Sequence, residues 1–198
     1  QIVPLAKIPL NVRHAVLAAE DRGFYSNRAF SVTGIARAVL NNLKGGSLQG
    51  GSTITQQYAK TAFLSPERTI QRKIKELVIA IKLENQLSKD QIFESYLNTI
   101  YFGRGSYGVQ TAAQQYFNRN VDQLTNAQAI VISCILRSPG FYDPSYSKAN
   151  EKRLTDRFTY VVKGMVEAKW LTAEDAAKLK FPVIAPRVTS GSLSLIHI

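Results

Sequence analysis

The chain is poor in the residues from which many active sites are built. Among 198 residues there is one cysteine, Cys134, and there are two histidines, His14 and His197. A single thiol excludes an internal disulfide and a cysteine-based zinc centre. Two imidazoles exclude a histidine-rich metal site and argue against acid–base chemistry run by histidine. Apolar runs are short: the longest, Ala15–Ala19 and Leu77–Ile81, have five residues each, against the roughly 18–20 needed to cross a bilayer. No basic n-region or signal-type apolar stretch opens the chain. Acid is scarce as well. Lys and Arg number 25 against 14 Asp and Glu, a net charge of +11, which calls for an anionic partner: nucleic acid, a phosphate-bearing substrate or an acidic membrane. A hydrophobic fraction of 45% with 10% aromatics excludes wholesale disorder.

What is present is helical. Asn11 is placed to cap a segment ending near Asp21, with Val12, Val16 and Ala19 on one face. Ser31 would cap Val32–Lys44, which Gly45-Gly46 stops. Thr53 and Gln56 have capping-box spacing before a helix to about Phe63, and Ser65-Pro66 opens a long helix over Pro66–Leu87. Ser88 with Gln91 and Thr125 with Gln128 repeat the capping box, the latter before the apolar run Ala129–Leu136. Helical periodicity also fits Val109–Phe117, Lys148–Lys169 and Ala173–Leu179. Phe181–Val188 alone suggests a short edge strand, and no βαβ rhythm or long repeat is present. The expected fold is mainly α, one cooperative unit with a Gly/Ser-rich loop at Gly45–Gly51.

Several segments hold residues suited to chemistry. Glu20 and Asp21 sit where the first helix runs out. Adjacent residues on a helix point about 100° apart, so only one of the two faces a given cleft. A carboxylate backed by aromatics such as Phe24 and Tyr25 has its pKa raised toward the range of a general base, although an exposed acidic helix end has the same sequence. In Gln49–Gln57, two glycines precede a helix start. There free N–H groups and the Ser52 and Thr53 hydroxyls favour an anion, and Gln57 lies one turn beyond Thr53 on the same wall. A flexible capped loop is the plainer alternative, and the ending of a Walker loop is missing. On the long helix, Ile70, Ile74, Leu77, Val78 and Ile81 form one apolar stripe. Arg72 and Glu76 fall opposite, beside Ile79 and Leu83. A helix apolar on two sides is enclosed, which puts Glu76 in a lined cleft; a surface ion pair with Arg72 is the other option. Lys60, Lys73 and Arg104 are candidates to add positive charge around the glycine loop.

Tyr101–Gly108 packs three glycines and three aromatics into a tight loop. Ser145 and Lys148 match a Ser-x-x-Lys nucleophile, but no Lys-Thr-Gly or Ser-Asp-Asn follows. His14 is read as structural and Cys134 as a buried apolar filler.

In chain order, Glu20–Tyr25, Gln49–Gln57, Arg72-Lys73-x-x-Glu76, Glu94–Gly108 and Arg137–Pro144 resemble the five motifs of the bacterial peptidoglycan glycosyltransferases. This family, glycosyltransferase family 51, is found in class A penicillin-binding proteins and their monofunctional relatives. The resemblance spans about Lys7–Pro144 and implies a lysozyme-like helical domain with a small mobile membrane-proximal subdomain around the glycine-rich loop. It implies lipid II as substrate, polymerised into β-1,4-linked glycan with release of undecaprenyl pyrophosphate. By similarity Glu20 is the base acting on the acceptor's 4-hydroxyl, and Glu76 lies near the donor pyrophosphate, directly or through a divalent cation, Mg or Mn. Thr53, Gln57, Lys60, Arg72 and Lys73 match positions that hold the sugar-pyrophosphate, beside the Ser52 hydroxyl already read as substrate-binding, while Asp21, Phe24 and Asn98 match site-shaping ones. Where the family has His-x-Gly, this chain has Asn27-Arg28-Ala29, and Asn cannot carry a proton.

The resemblance further implies a location at the extracytoplasmic face of the cell membrane, and binding of the nascent glycan, the membrane surface and phosphoglycolipid inhibitors of the moenomycin type. It makes residues 1–188 the glycosyltransferase domain of a larger anchored protein carrying a transpeptidase domain; residues 189–198 fit no element and read as a non-native or disordered tail. Nucleic acid is not expected, since the basic residues are spread along the chain rather than clustered with stacking aromatics. A lysozyme-like lytic enzyme and an inactive lipid II-binding scaffold are the alternatives.

Overall fold

The computed structural model describes residues 1–27, 52–65 and 69–187. The expected helix over Val32–Lys44, the loop at Gly45–Gly51, the small subdomain around it and the tail at 189–198 lie outside the described residues. A 3₁₀ turn at Leu5–Lys7 precedes α1 (Leu10–Glu20), α2 (Ile54–Phe63), α3 (Ile70–Gln86) and α4 (Lys89–Thr99). A hairpin, β1 (Tyr101–Gly103) and β2 (Ser106–Tyr107), leads into α5 (Val109–Phe117) and a 3₁₀ turn at Val121–Gln123. Then follow α6 (Asn126–Leu136), α7 (Pro139–Tyr142), α8 (Lys148–Glu167) and α9 (Ala173–Lys178). The fold is mainly α, as expected.

The core is organised around α6. Every residue from Ala129 to Leu136 is buried; a helix apolar on all sides is stable only when enclosed. Thr125 and Gln128 close a reciprocal capping box at its start, satisfying the backbone donors of both residues. Helices α1 and α8 pack on α6 and on each other. On α8, Leu154, Phe158, Val161 and Met165 form the buried stripe, at the 3–4 residue spacing of one helix face. The small residues Ala15, Ala18 and Ala19 on α1 are buried and let the backbones approach closely. Helix α2 packs against α3 and α4. His14 stacks on Trp170, ring centroids 4.8 Å apart, a structural role as expected.

The structure corrects four local expectations. Helix α1 starts at Leu10, with Pro9 in the N-cap position and no side-chain cap; Asn11 instead donates to Leu124 O at 2.9 Å. Helix α3 starts after Thr69, whose hydroxyl caps Arg72 N, while Pro66 lies outside the described residues. The apolar stripe of α3 faces outward: Ile70 is 70% exposed, Ile74 44% and Val78 46%, and Glu76, Ala80 and Leu83 are the buried residues. Finally, residues 181–187 form no strand; one backbone bond, from Ala185 N to Tyr116 O at 2.9 Å, ties them to the fold.

The Tyr101–Gly108 loop is the hairpin. Gly103 has φ +89°, and a Cβ there would sit 2.7 Å from Pro139 Cβ and 2.8 Å from the Tyr116 hydroxyl. Glycine is therefore required both for backbone conformation and for space. Arg104, read as a candidate for the glycine loop, is instead bound to Asp143 inside the fold.

Candidate active site

Glu20 occupies the last position of α1, where its carboxylate is almost wholly enclosed, 4% exposed. Both oxygens are held. Gln57 Nε2 donates to Oε2 at 3.0 Å and Arg157 Nη2 donates to Oε1 at 2.8 Å. Burial pushes the Glu20 carboxyl above its ordinary pKa, against the opposing pull of the Gln57 hydrogen bond and the charges of Arg157 and Arg137. Asp21 points elsewhere, as helix geometry requires, and its Oδ2 accepts the Ile54 N–H at the start of α2 at 3.2 Å. Burial raises its pKa too, although the Ile54 bond opposes this.

Gln57 is fixed by its neighbours. Its Nε2 also donates to Ser52 O at 3.1 Å, and its Oε1 accepts the Tyr96 hydroxyl at 3.0 Å. Every polar atom of the amide thus has a defined partner, so the NH₂ group is held toward Glu20. Tyr96 is fully buried and its pKa stands well above the ordinary tyrosine value, through burial first and then the Glu20 and Asp21 charges. It acts as a neutral donor.

A second group lies across Ser52. Lys73 Nζ donates to Ser52 Oγ at 3.0 Å and also to Glu76 Oε1. Arg72 Nη1 stands 3.5 Å from Glu76 Oε2. Glu76 is 1% exposed while Arg72 and Lys73 are 18% and 33% exposed, so the carboxylate is enclosed and its two cations reach the surface. Glu76 itself is enclosed and also paired with Arg72, while the helix that carries it turns Ile70, Ile74 and Val78 outward. Ser52 thereby joins the two carboxylates: Gln57 links its carbonyl to Glu20, and Lys73 links its hydroxyl to Glu76.

Thr53 caps α2, accepting from Gln56 N at 3.2 Å. Lys60 is exposed on the same helix. Phe24 is buried against Phe93 (centroids 5.6 Å), with Lys89 Nζ 4.7 Å above its ring. Phe24, Asp21, Asn27 and Thr53 line one cleft of about 420 Å³. Asn98 is not brought to this group. Its side chain clamps the N-terminal segment, accepting from Val3 N at 2.8 Å and donating to Val3 O at 2.9 Å. Arg28 and Ala29 lie outside the described residues.

Two members of the site were not among the sequence candidates. Tyr96 falls within the apolar pattern of α4 and reads as core. Arg157 lies beside Phe158 at the edge of the buried face of α8, a position that marks a long cation as packed but names no partner.

Among the described residues no group of three or more His, Cys, Asp or Glu side chains is placed to hold a metal ion. Glu76 Oε2 has no hydrogen-bond partner, yet Lys73 and Arg72 already neutralise this carboxylate. Among the described residues nothing fits a resident divalent cation; Mg or Mn would have to bring its other ligands with an anionic substrate. No helix among the described residues is long and apolar enough to cross a membrane.

The chain is similar to penicillin-binding protein 1A of Mycobacterium tuberculosis, 48% identical over 188 residues, covering 93% of this chain and 23% of that protein. To penicillin-binding protein 1A of Neisseria gonorrhoeae it is 42% identical over 175 residues, covering 88% of this chain and 22% of that protein. The crystal structure of penicillin-binding protein 1A from Haemophilus influenzae aligns with 66% of this chain and 17% of that one, at 28% identity and a TM-score of 0.46. The chain spans under a quarter of the length of the curated relatives it matches. The family profile described as Transglycosylase matches residues 1–166. That match covers most of the chain and both carboxylate groups of the site, and the chain belongs to the transglycosylase family.

Proposed function

We propose that this domain is a peptidoglycan glycosyltransferase that polymerises lipid II into β-1,4-linked glycan. Glu20 takes the proton of the acceptor sugar's 4-hydroxyl, and the oxygen attacks the anomeric carbon of the donor glycan. The bond from that carbon to the pyrophosphate oxygen breaks, and undecaprenyl pyrophosphate leaves with the electron pair. Lys73, Arg72 and Lys60 offset the charge that builds on the leaving group, an effect largest in a site from which water is excluded. Glu76 holds Lys73 and Arg72 toward the leaving group, and Ser52 and Thr53 offer hydroxyls at the start of α2.

The observation that carries this reading is the hydrogen-bonded path from Glu20 through Gln57, Ser52 and Lys73 to Glu76. It holds a buried carboxylate of raised pKa at a fixed remove from a cationic cluster, which is what a general base and a pyrophosphate leaving group need. Two separated carboxylates also suit an inverting displacement, by analogy with glycosidases. A membrane-bound lipid substrate agrees with the outward-facing Ile70, Ile74 and Val78 of α3, beside exposed Lys75 and Lys82. On this reading the domain works at the extracytoplasmic face of the cell membrane, within a longer protein that carries a transpeptidase domain. Phosphoglycolipids of the moenomycin type are expected to compete for the cationic cluster.

The test is lipid II polymerisation by the purified chain in detergent, beside Glu20→Gln. Long glycan from the parent and none from the variant is the expected result. Lipid II bound by both without product would replace this reading with a binding scaffold. Release of muropeptides from finished glycan would replace it with a lytic enzyme.

A further inference from the structure

Arg157, which holds the Glu20 oxygen that Gln57 does not, also lines a second cleft, of about 500 Å³, with Arg137, Arg153, Tyr142, Tyr160, Asp156 and Ala19. Arg137 and Tyr142 fall in the matched segment Arg137–Pro144; the other lining residues were not among the sequence candidates. The charge of the cleft is one-sided: three guanidiniums face one carboxylate, and Asp156 is already paired with Lys152 at 2.9 Å. Arg153 donates to the neutral Asn150 Oδ1 at 3.0 Å and lies 4.0 Å over the Phe141 ring. Arg137 makes no ion pair among the described residues. An arginine fork matches phosphate oxygens in geometry as well as charge.

Arg157 joins this cleft to the base. Its side chain is 10% exposed. Nη2 divides its donors between Glu20 Oε1 at 2.8 Å and Ala19 O at 3.1 Å, and Nε is buried without an acceptor. Tyr142 and Tyr160 flank the guanidinium, with ring centroids 5.5 Å and 6.0 Å away. A buried donor left unpaired is costly, and an entering anion would satisfy it. The contact with Glu20 has the opposite consequence for catalysis, because a guanidinium on a carboxylate holds it ionised and lowers its affinity for a proton.

We propose that Arg157 is a displaceable restraint on Glu20: a pyrophosphate group entering the arginine–tyrosine cleft draws Arg157 off Glu20 Oε1 and so makes Glu20 a stronger base. This rests on the glycosyltransferase reading, in which donor and acceptor each carry a pyrophosphate. The Lys73–Arg72 cluster takes one, and the arginine cleft, which reaches Glu20 through its other oxygen, takes the other. The base would then reach full strength only when the second lipid is seated. Arg157 is in this sense a positioning residue, acting through Glu20.

The charged or titratable groups facing Glu20 among the described residues are Arg157 on α8, Arg137 and Cys134 at and within the end of α6, Tyr96 on α4 and Asp21 beside it. Cys134 and Tyr96 stay neutral near pH 7, so the arginines are the groups whose movement changes the basicity of Glu20.

The test follows the Glu20 carboxyl directly by ¹³C NMR of glutamate-labelled protein, with the signal assigned by Glu20→Gln. Its pKa is measured alone, with inorganic pyrophosphate, and with farnesyl pyrophosphate below its micellar concentration. We expect a saturable rise of about one pH unit, a tenfold gain in proton affinity. In Arg157→Met the pKa should start high and respond little. Arg153→Met does not touch Glu20; it should weaken anion binding several-fold while leaving the anion-free pKa in place, and it keeps the test open if Arg157→Met fails to fold. A response to both anions assigns the cleft to pyrophosphate itself, and a response to the farnesyl ester alone assigns it to the lipid headgroup. No rise in the parent, or an equal rise in Arg157→Met, overturns the proposal. Because the readout needs no turnover, coupling without polymerisation would count against the enzymatic reading alone, and polymerisation without coupling against this one.

Discussion

Arg104 and Asp143 meet fork to carboxylate, Nε to Oδ2 at 2.8 Å and Nη2 to Oδ1 at 2.9 Å, with each side chain 2% exposed. The same guanidinium donates from Nη1 to Ala185 O at 2.7 Å and lies 4.3 Å over the Tyr116 ring. One residue of the hairpin thus ties together α5, the segment after α7 and the chain past α9. Removing one partner of such a pair leaves the other charge buried and unpaired, at a cost of about 3–5 kcal/mol. Arg104→Met and Asp143→Asn should each destabilise the domain on that scale in urea unfolding. Burial alone would raise the Asp143 carboxyl, but hydrogen bonds from Arg104 and the Ser145 N–H outweigh it and hold the pKa below the ordinary value. A depressed carboxylate pKa contributes stability above the unfolded value of about 3.9, and that contribution is lost as pH falls through the folded value. Asp143→Asn should therefore be less stable near pH 7 and show a flatter loss of stability below about pH 4.

Tyr96 supplies a prediction about orientation. Its hydroxyl meets Gln57 Oε1 at 3.0 Å, and this bond decides which end of the amide faces Glu20. Tyr96→Phe keeps the ring, so stability should fall by only about 1 kcal/mol, the net worth of one hydrogen bond. Polymerisation should fall by about tenfold, since the Gln57 donor is no longer held on the base. An unchanged rate would show that Gln57 needs no orienting partner.

The helices that carry the site were legible because their ends were written in local chemistry. Ser88 with Gln91 and Thr125 with Gln128 form the reciprocal boxes that their spacing requires, and α6 could only be central because it is apolar all round. The side to which α3 turns was not legible. Periodicity gives a stripe, but Ile70, Ile74 and Val78 face out because Glu76 is satisfied inside by Lys73 and Arg72. That compensation runs partly through Ser52 on another element. The partnership of Arg157 with Glu20 spans 137 positions, and nothing local to either residue announces it. Glu20 itself stood out because a carboxylate ends a helix just ahead of Phe24 and Tyr25.

Cys134 offers a clean probe of opening. It is fully buried on α6, and burial pushes its thiol up to about 12. A thiol that is both enclosed and protonated does not react, because the thiolate is the nucleophile. At pH 8 the folded domain should resist Ellman's reagent, and labelling should follow unfolding as denaturant is raised. Rapid labelling without denaturant would mean that α6 is not the enclosed centre of the fold.

The outward stripe of α3 makes a different demand. Ile74 and Val78 are nearly half exposed, at 44% and 46%, so little core packing is lost when they are made polar. The double change Ile74→Ser with Val78→Ser should alter folding stability by under about 1 kcal/mol, as surface substitutions do. If the stripe rests on a bilayer, the exposed halves of both side chains leave water on binding. Half of the 1.5–3 kcal/mol for a fully buried aliphatic side chain is about 1 kcal/mol apiece, so the pair should weaken partitioning into anionic vesicles by tenfold or more. Lys75 and Lys82 remain in the variant, so electrostatic attraction is preserved and the loss would report the apolar contact alone. Co-sedimentation at fixed salt measures it. Equal partitioning of parent and variant would move the membrane contact off α3 and leave the exposed stripe to another partner.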